Sequence, residues 1–150
     1  MDGKTDAEVA ADLTDAGTFR HWTNVSLRFS DEDNMGHINN VAFAAYVEQA
    51  RVAFIDAFLK SQGGGDIDYI LAHVHIDFHN EMHFPGTVDI GARLIRIGTK
   101  SITTGYGLFK DSENVATARS VNVFFDVEST KTIPIPEDLR RGLEDELAKG

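Results

Sequence analysis

The feature that most constrains this chain of 150 residues is a long apolar segment followed by a change of periodicity. Between Val41 and Leu59 apolar residues recur at a helical spacing, and charged residues are few. The residues on its most regular side are Phe43, Val47, Ala50, Phe54 and Phe58. A helix that is apolar almost all round is predicted to be buried on several sides. Gly63-Gly64-Gly65 follow it and predict its end.

After these glycines the apolar residues alternate with polar ones, which is typical of strands. Strand-like segments span residues 74–78, 88–94, 102–109 and 115–127, and an earlier one spans 25–29. In the last segment Val121, Val123 and Phe125 share one face. Pro136 suits the first position of a closing helix. The order predicts an α+β fold, in which an antiparallel sheet of about five strands wraps around the long helix.

Composition narrows the class of protein. The net charge is −10, yet residues 34–125 hold nine acidic and seven basic residues, so the acidity lies mainly at the two ends. A net negative charge of this size argues against nucleic-acid and anionic-membrane partners, because both need clustered lysine and arginine residues. The chain has no cysteine, which excludes disulfides and a thiol nucleophile. We expect a soluble, cytoplasmic protein with an acidic extension over residues 1–20, helical over 7–13, and a single domain over 21–150.

The loop before the long helix holds the most suggestive chemistry. Asp31, Glu32 and Asp33 precede His37, and Asn39 or Asn40 is suited to be the helix N-cap. Backbone N–H groups at a helix start can stabilise an oxyanion, and a nearby carboxylate can act as nucleophile or general base. Solvated loop acids beside an ordinary helix cap would give the same pattern, so the spacing leaves both interpretations open.

This segment resembles a family signature. Asp31-x-Asp33-x-x-Gly36-His37-x-Asn39-Asn40, followed by Tyr46-x-Glu48-x-Ala50-Arg51, resembles the hotdog-fold acyl-CoA thioesterases of the 4-hydroxybenzoyl-CoA thioesterase group. The resemblance covers roughly residues 22–140 and continues through Ile76-Asp77-Phe78, Phe84-Pro85-Gly86, the segment 91–98, Ala116-Thr117-Ala118-Arg119 and Ile135-Pro136-Glu137.

The resemblance implies a hotdog fold with a long helix inside an antiparallel sheet, and a homodimer or homotetramer, because sites of this fold form between subunits. It places the catalytic carboxylate on Asp33 and the oxyanion donors near Asn40 and Val41. His37 and Asn39 would shape the loop. Independently of the resemblance, Met35 and Phe43 are expected to belong mostly to the core, and together with Tyr46 they could instead line an acyl pocket near the loop. Glu32 departs from the usual small residue, and its charge is expected to raise the pKa of one acid of the pair.

Other charged residues have two interpretations each. The cations Arg93, Arg96, Lys100 and Arg119 could bind the phosphates of CoA or could be ordinary solvated charges. Glu48 is a second candidate for the catalytic acid, because some hotdog thioesterases use a helix glutamate. The preferred interpretation is an ion pair between Glu48 and Arg51.

The histidines are not expected to bind a metal, and no cofactor is expected. His73, His75, Asp77 and His79 share one face of a strand and form a conceivable metal set. An interface or solvent face is the preferred interpretation of that strand. His83-Phe84-Pro85-Gly86 is similar to part of a hotdog dehydratase motif, but it follows the helix instead of preceding it and is interpreted as a turn.

The predicted function is hydrolysis of an acyl-CoA thioester to the free acid and CoA. Two alternatives stay open, a non-catalytic hotdog protein that binds acyl-CoA or an acyl carrier, and a hotdog dehydratase. Retention of Asp33 and of the whole loop before the helix favours the hydrolase.

Overall fold

The computed structural model describes residues 7–61 and 66–150, so the predicted helix end at Gly63-Gly64-Gly65 lies outside the described residues. The elements in chain order are β1 (Ala7–Glu8), β2 (His21–Ser26), α1 (Asn40–Ser61), β3 (Ile67–Phe78), β4 (Thr87–Ile97), β5 (Ser101–Lys110), β6 (Glu113–Asp126) and α2 (Glu137–Lys149). None of the helices in these two ranges is long and apolar enough to cross a membrane.

The strands form one antiparallel sheet in the order β1-β4-β5-β6-β3. Strand β2 also pairs with β4, beside β1. Helix α1 packs against this sheet, as the change of periodicity predicted, and the hotdog fold is confirmed. Strand β3 pairs with β6 alone among the described strands, so its other edge lies open along twelve residues.

Helix α1 is buried on one side only. Phe43, Val47, Ala50 and Ile55 are buried against the sheet, whereas Val52 is 41% exposed. The prediction of a helix buried on several sides is therefore wrong for the single chain, because one sheet can cover only one side of a helix. The opposite side carries small apolar residues that face solvent here, namely Ala44, Ala45, Ala53 and Ala57.

Strand β6 turns its polar residues inward. Ser120 and Asn122 are fully buried beneath the helix, between Ala118 and Phe124. The face formed by Val121, Val123 and Phe125 is only partly buried, because it lies on the side of the sheet away from α1. The hydroxyl of Tyr106 lies 2.8 Å from Ser120 Oγ, which in turn donates to Asn122 Oδ1, and this accounts for the buried oxygen atoms of these side chains.

The N-terminal segment covers part of that outer face. The helix predicted over residues 7–13 is wrong, since Ala7–Glu8 forms a strand paired with Arg96 and Ile97. Further along, Leu13 and Phe19 pack on the outer face of the sheet. The close approach of the Phe19 ring to strand β4 requires glycine at position 91, because a Cβ on Gly91 would overlap that ring.

Candidate active site

The loop between β2 and α1 folds as two hydrogen-bonded units, and the first is centred on buried Asp31. Its Oδ1 accepts hydrogen bonds from Arg28 Nε at 3.2 Å and Nη2 at 2.9 Å. Its Oδ2 accepts from the Arg28 backbone N–H at 3.2 Å and from the Tyr46 hydroxyl at 2.7 Å. Asp31 is 6% exposed, so both carboxylate oxygens are used in holding the loop on the helix.

These contacts shift the pKa of both partners. Burial raises the pKa of Asp31, but the hydrogen bonds from Arg28 and Tyr46 outweigh it, and the net pKa lies below the usual value. Burial and the bond to Asp31 raise the pKa of the Tyr46 hydroxyl, so Tyr46 stays a proton donor. The side chain predicted to line the acyl pocket thus holds a structural carboxylate.

The second unit is a turn closed by Asp33, which is exposed. Asp33 Oδ1 accepts hydrogen bonds from the Met35 N–H at 2.8 Å and the His37 N–H at 3.1 Å. The Asp33 N–H donates to the His37 carbonyl at 2.7 Å. Gly36 has a φ of 81°, a left-handed conformation that favours glycine, and it lets the chain reverse within the turn.

Hydrogen bonds from the backbone of Met35 and His37 hold the pKa of Asp33 below its usual value. The Glu32 charge was expected to raise the pKa of one acid of the Glu32–Asp33 pair. At Asp33 the pKa is lowered instead, because the two amides favour the charged form. The Met35 side chain is 74% exposed and contributes to the turn through its N–H.

Helix α1 begins beside this turn. Asn39 is the N-cap, since its Oδ1 accepts from the Val41 N–H at 2.8 Å. That bond occupies one of the two amides expected to bind an oxyanion. The Asn40 N–H has no acceptor within the described ranges, so it is the amide left at the positive end of the helix dipole.

A cavity of about 280 Å³ joins these groups. The Phe43 ring lies 5.2 Å from the Phe78 ring at the end of β3 and gives the cavity an apolar wall. Its polar side includes Asp33, His37, Asn40 and Glu81. A carboxylate, an unpaired amide and an apolar wall are the components that acyl transfer needs.

A second cavity of about 360 Å³ lies on the other side of the helix start. It is lined by Arg28, Asp31, Asn39, Val41 and Tyr46, among others. Because the carboxylate of Asp31 is already saturated with donors, this cavity offers no comparable reactive group.

The predicted phosphate-binding cations do not gather at Asp33 within one chain. Arg119 pairs with His75, three residues from the cavity at Phe78, or about 10 Å along the strand. Arg93 donates to the Leu94 carbonyl at 3.1 Å on β4. The other two cations contact residues outside the cavity. Arg96 lies 3.8 Å from Glu8, and Lys100 lies 3.5 Å from Thr132 in the connection between β6 and α2.

The helix glutamate takes the structural role that was preferred for it. Glu48 Oε2 lies 3.4 Å from Arg51 Nη2, one turn along α1. Glu48 is exposed and does not line either cavity at the helix start.

The histidines on β3 and directly after it do not converge on one another. His75 Nε2 contacts Asp77 Oδ1 at 2.9 Å, and His79 Nε2 lies 3.0 Å from Thr117 Oγ1. Within residues 7–61 and 66–150, the one set of three potential metal ligands is His37, Glu81 and His83. Sequence reasoning missed Glu81 and His83 as site residues, because no local pattern indicates that the β3–β4 connection returns to the turn before α1.

Comparisons with known proteins agree with the fold. A family model described as the thioesterase-like superfamily matches residues 27–143. A Bacillus subtilis protein named uncharacterized protein YsmA is 26% identical over 117 residues, which cover 77% of this chain and 80% of that protein.

Two solved structures share the fold. A predicted thioesterase from Bacillus stearothermophilus is 26% identical with a TM-score of 0.75, covering 84% of this chain and 95% of that one. A thioesterase from Thermus thermophilus, described as complexed with coenzyme A and Zn, is 23% identical with a TM-score of 0.75, covering 88% and 98%.

Proposed function

The chain belongs to the thioesterase-like superfamily, and we propose that it hydrolyses acyl-CoA thioesters to a free carboxylic acid and CoA. The observation that carries this proposal is the shared cavity of Asp33 and Asn40. Asp33 supplies a carboxylate, and Asn40 supplies an unpaired backbone N–H at a helix start. These are the two groups that thioester hydrolysis requires.

In the proposed reaction the thioester carbonyl oxygen accepts a hydrogen bond from the Asn40 N–H. The positive end of the α1 dipole then stabilises the oxyanion that forms. Asp33 Oδ1 is held by two amides, which leaves Oδ2 to react. The lowered pKa keeps this carboxylate ionised at neutral pH.

Asp33 can act by either of two routes. As a general base it takes a proton from water, the water oxygen bonds to the carbonyl carbon, the C–S bond breaks, and the proton passes to the departing CoA thiolate. As a nucleophile it forms a mixed anhydride with release of CoA, and water then hydrolyses the anhydride. His37 positions Asp33 through its backbone N–H.

The acyl group would lie against Phe43 and Phe78, whose rings form the apolar wall of the cavity. CoA is the proposed leaving group because a Thermus structure of the same fold is described as a complex with coenzyme A. None of the four predicted phosphate-binding cations lines the cavity that holds Asp33. They would therefore bind the phosphates of CoA only if the CoA extended across a subunit boundary. These cations are Arg93, Arg96, Lys100 and Arg119.

We further propose a homo-oligomer, with a dimer as the smallest unit. Strand β3 has an open edge, and Ile70, Leu71 and Val74 along it are between 41% and 51% exposed. An exposed apolar edge strand is a template for pairing with a second chain. Phe78, which is 46% exposed, lies at the end of the same strand, so such pairing would bring a second subunit next to the cavity.

The test is thiol release from purified full-length protein offered short, long and aromatic acyl-CoAs. Turnover of at least one class is expected. Stoichiometric binding without thiol release would contradict the proposal and favour the acyl-CoA-binding alternative. Hydration of an enoyl-CoA without hydrolysis would contradict it and favour the dehydratase.

A further inference from the structure

Three potential metal ligands converge at the edge of the Asp33 cavity. His37 comes from the turn before α1, while Glu81 and His83 come from the connection between β3 and β4. His37 Nε2 lies 3.2 Å from Glu81 Oε2, and His83 Nε2 lies 3.8 Å from the same oxygen. All three ligand atoms lie within 4.8 Å of one another.

The proton positions on His83 favour metal binding. Its Nδ1 lies 2.8 Å from the Gly36 carbonyl oxygen. A carbonyl can only accept a hydrogen bond, so Nδ1 carries the proton and the neutral ring keeps its lone pair on Nε2. Ligating histidines usually donate their other ring N–H to a carbonyl or carboxylate in this way.

His37 is also held in place. Its backbone N–H donates to Asp33 Oδ1, and its ring centroid lies 5.1 Å from that of His83, nearly edge-on. Both rings therefore lie next to the Glu81 carboxylate. Two imidazoles and a carboxylate on two separate loops form a site that requires no large rearrangement.

We propose that His37, Glu81 and His83 bind a divalent transition-metal ion, with Zn²⁺ the best match. Zn²⁺ takes two histidines and one glutamate with a fourth position open to water, at bond lengths of about 2.0–2.2 Å. Neighbouring ligands of such a tetrahedral ion lie roughly 3.3–3.5 Å apart, close to the spacings of 3.2 and 3.8 Å found here. Mg²⁺ and Ca²⁺ prefer oxygen ligands and fit this set poorly.

The bound ion would join the turn that holds Asp33 to the β3–β4 connection. His37 and Glu81 line the same cavity as Asp33, so the ion would fix one side of that cavity. The site itself does not depend on the proposed hydrolase activity, because its geometry involves only these three side chains and Gly36.

The experiment uses full-length protein freed of metal with a chelator that is then removed. Zn²⁺ affinity is measured by competition with a chromophoric chelator, and Co²⁺ is added as a spectroscopic probe. We expect one ion per chain and the visible absorption of tetrahedral Co²⁺. Saturation with Zn²⁺ is expected to raise the midpoint of thermal unfolding by several degrees.

The variants Glu81→Gln and His83→Gln remove one ligand each from an exposed position, so the metal-free proteins should unfold at the wild-type midpoint. Each is expected to weaken Zn²⁺ binding at least tenfold and to abolish the Co²⁺ spectrum. The control is His75→Gln, which removes an exposed histidine that lies 2.9 Å from a carboxylate outside the cluster. Failure of the wild type to bind one ion, or equal binding by Glu81→Gln and the control, would overturn the proposal.

Discussion

The two halves of the loop between β2 and α1 each contain an aspartate, and the two aspartates have different environments. In the first half Asp31 is buried and accepts four hydrogen bonds, three from Arg28 and one from Tyr46. In the second half Asp33 is exposed, and the two amides that bind it share a single oxygen. Both carboxylates have a lowered pKa, yet only one of them keeps an oxygen for a substrate.

The difference shows why a lowered pKa alone does not identify a catalytic acid. Both groups are ionised at neutral pH, so what separates them is access and the number of occupied lone pairs. Asp31 stabilises the loop, and Asp33 lines a cavity next to an unpaired helix amide. Substitutions at the two positions should therefore affect different measurable quantities.

The largest expected effect is on turnover by Asp33→Asn. Asparagine keeps an oxygen for the Met35 and His37 amides but cannot act as base or nucleophile. We expect thiol release to fall by about 10²–10⁴-fold, with the free energy of unfolding changed by less than about 1 kcal/mol.

The matched control for this variant is Asp126→Asn. Asp126 accepts a hydrogen bond from the Ser129 N–H at 2.8 Å, which lowers its pKa in the same manner. It is the last residue of β6, at the end of that strand away from the cavity. It should retain full turnover. Equal losses in both variants would mean that the effect comes from altered turns and not from chemistry at Asp33.

A smaller effect, on stability, is expected for Asp31→Ala. The substitution leaves the buried Tyr46 hydroxyl without its acceptor and frees the Arg28 end of the loop. Removing the partner of a buried hydrogen-bonding group costs about 1–3 kcal/mol. Urea denaturation measures this loss, and a variant as stable as the wild type would show that the first half of the loop is not held by this carboxylate.

Tyr46→Phe is expected to have a weaker effect of the same kind, about 0.5–1.5 kcal/mol in the free energy of unfolding. Asp31 keeps its three bonds from Arg28 in this variant, so the carboxylate stays paired. The control is Tyr69→Phe, which removes a hydroxyl that donates to Asp56 at 3.1 Å. A hundredfold loss of turnover in Tyr46→Phe, with none in the control, would instead place Tyr46 at the reacting centre.

The smallest effect is on the pH dependence of stability. The pKa of Asp31 is lower in the folded protein than in the unfolded chain. Its contribution to the free energy of unfolding is therefore fully present above the unfolded pKa of about 3.9, and it is lost as the pH falls through the folded pKa. The difference in free energy of unfolding between the wild type and Asp31→Asn should therefore be constant from pH 7 to 5 and shrink below pH 4. A difference that grows on acidification would contradict this sign.

Periodicity and the order of the elements were sufficient to predict a long helix packed on an antiparallel sheet, since apolar spacing distinguishes α1 from the strands that follow it. Periodicity could not predict that α1 is covered on one side only, because apolar spacing does not specify how many sides of a helix another layer covers. The docking of Leu13 and Phe19 was missed for a related reason. Their segment is polar on average, and its contact surface is made by glycines such as Gly91, which carry no hydrophobic signal.

The candidate site could be predicted in part. The motif indicated Asp33 as the candidate carboxylate and Asn39 or Asn40 as the N-cap, because these residues belong to one continuous stretch of chain. The structure shows Asn39 in the capping position. The structural role of Asp31 could not be predicted, because it depends on the approach of Arg28 and Tyr46 to its carboxylate. The approach of Glu81 and His83 to His37 also could not be predicted, since it arises from the path of the β3–β4 connection.

The most direct test is turnover per folded molecule, measured side by side for Asp31→Asn and Asp33→Asn with the best acyl-CoA substrate. Both are assayed at a temperature where denaturation curves show each variant to be folded. We predict that Asp31→Asn retains activity within about tenfold of the wild type, whereas Asp33→Asn loses about 10²-fold or more. Equal losses in the two variants, or a greater loss in Asp31→Asn, would contradict the assignment of the chemistry to Asp33.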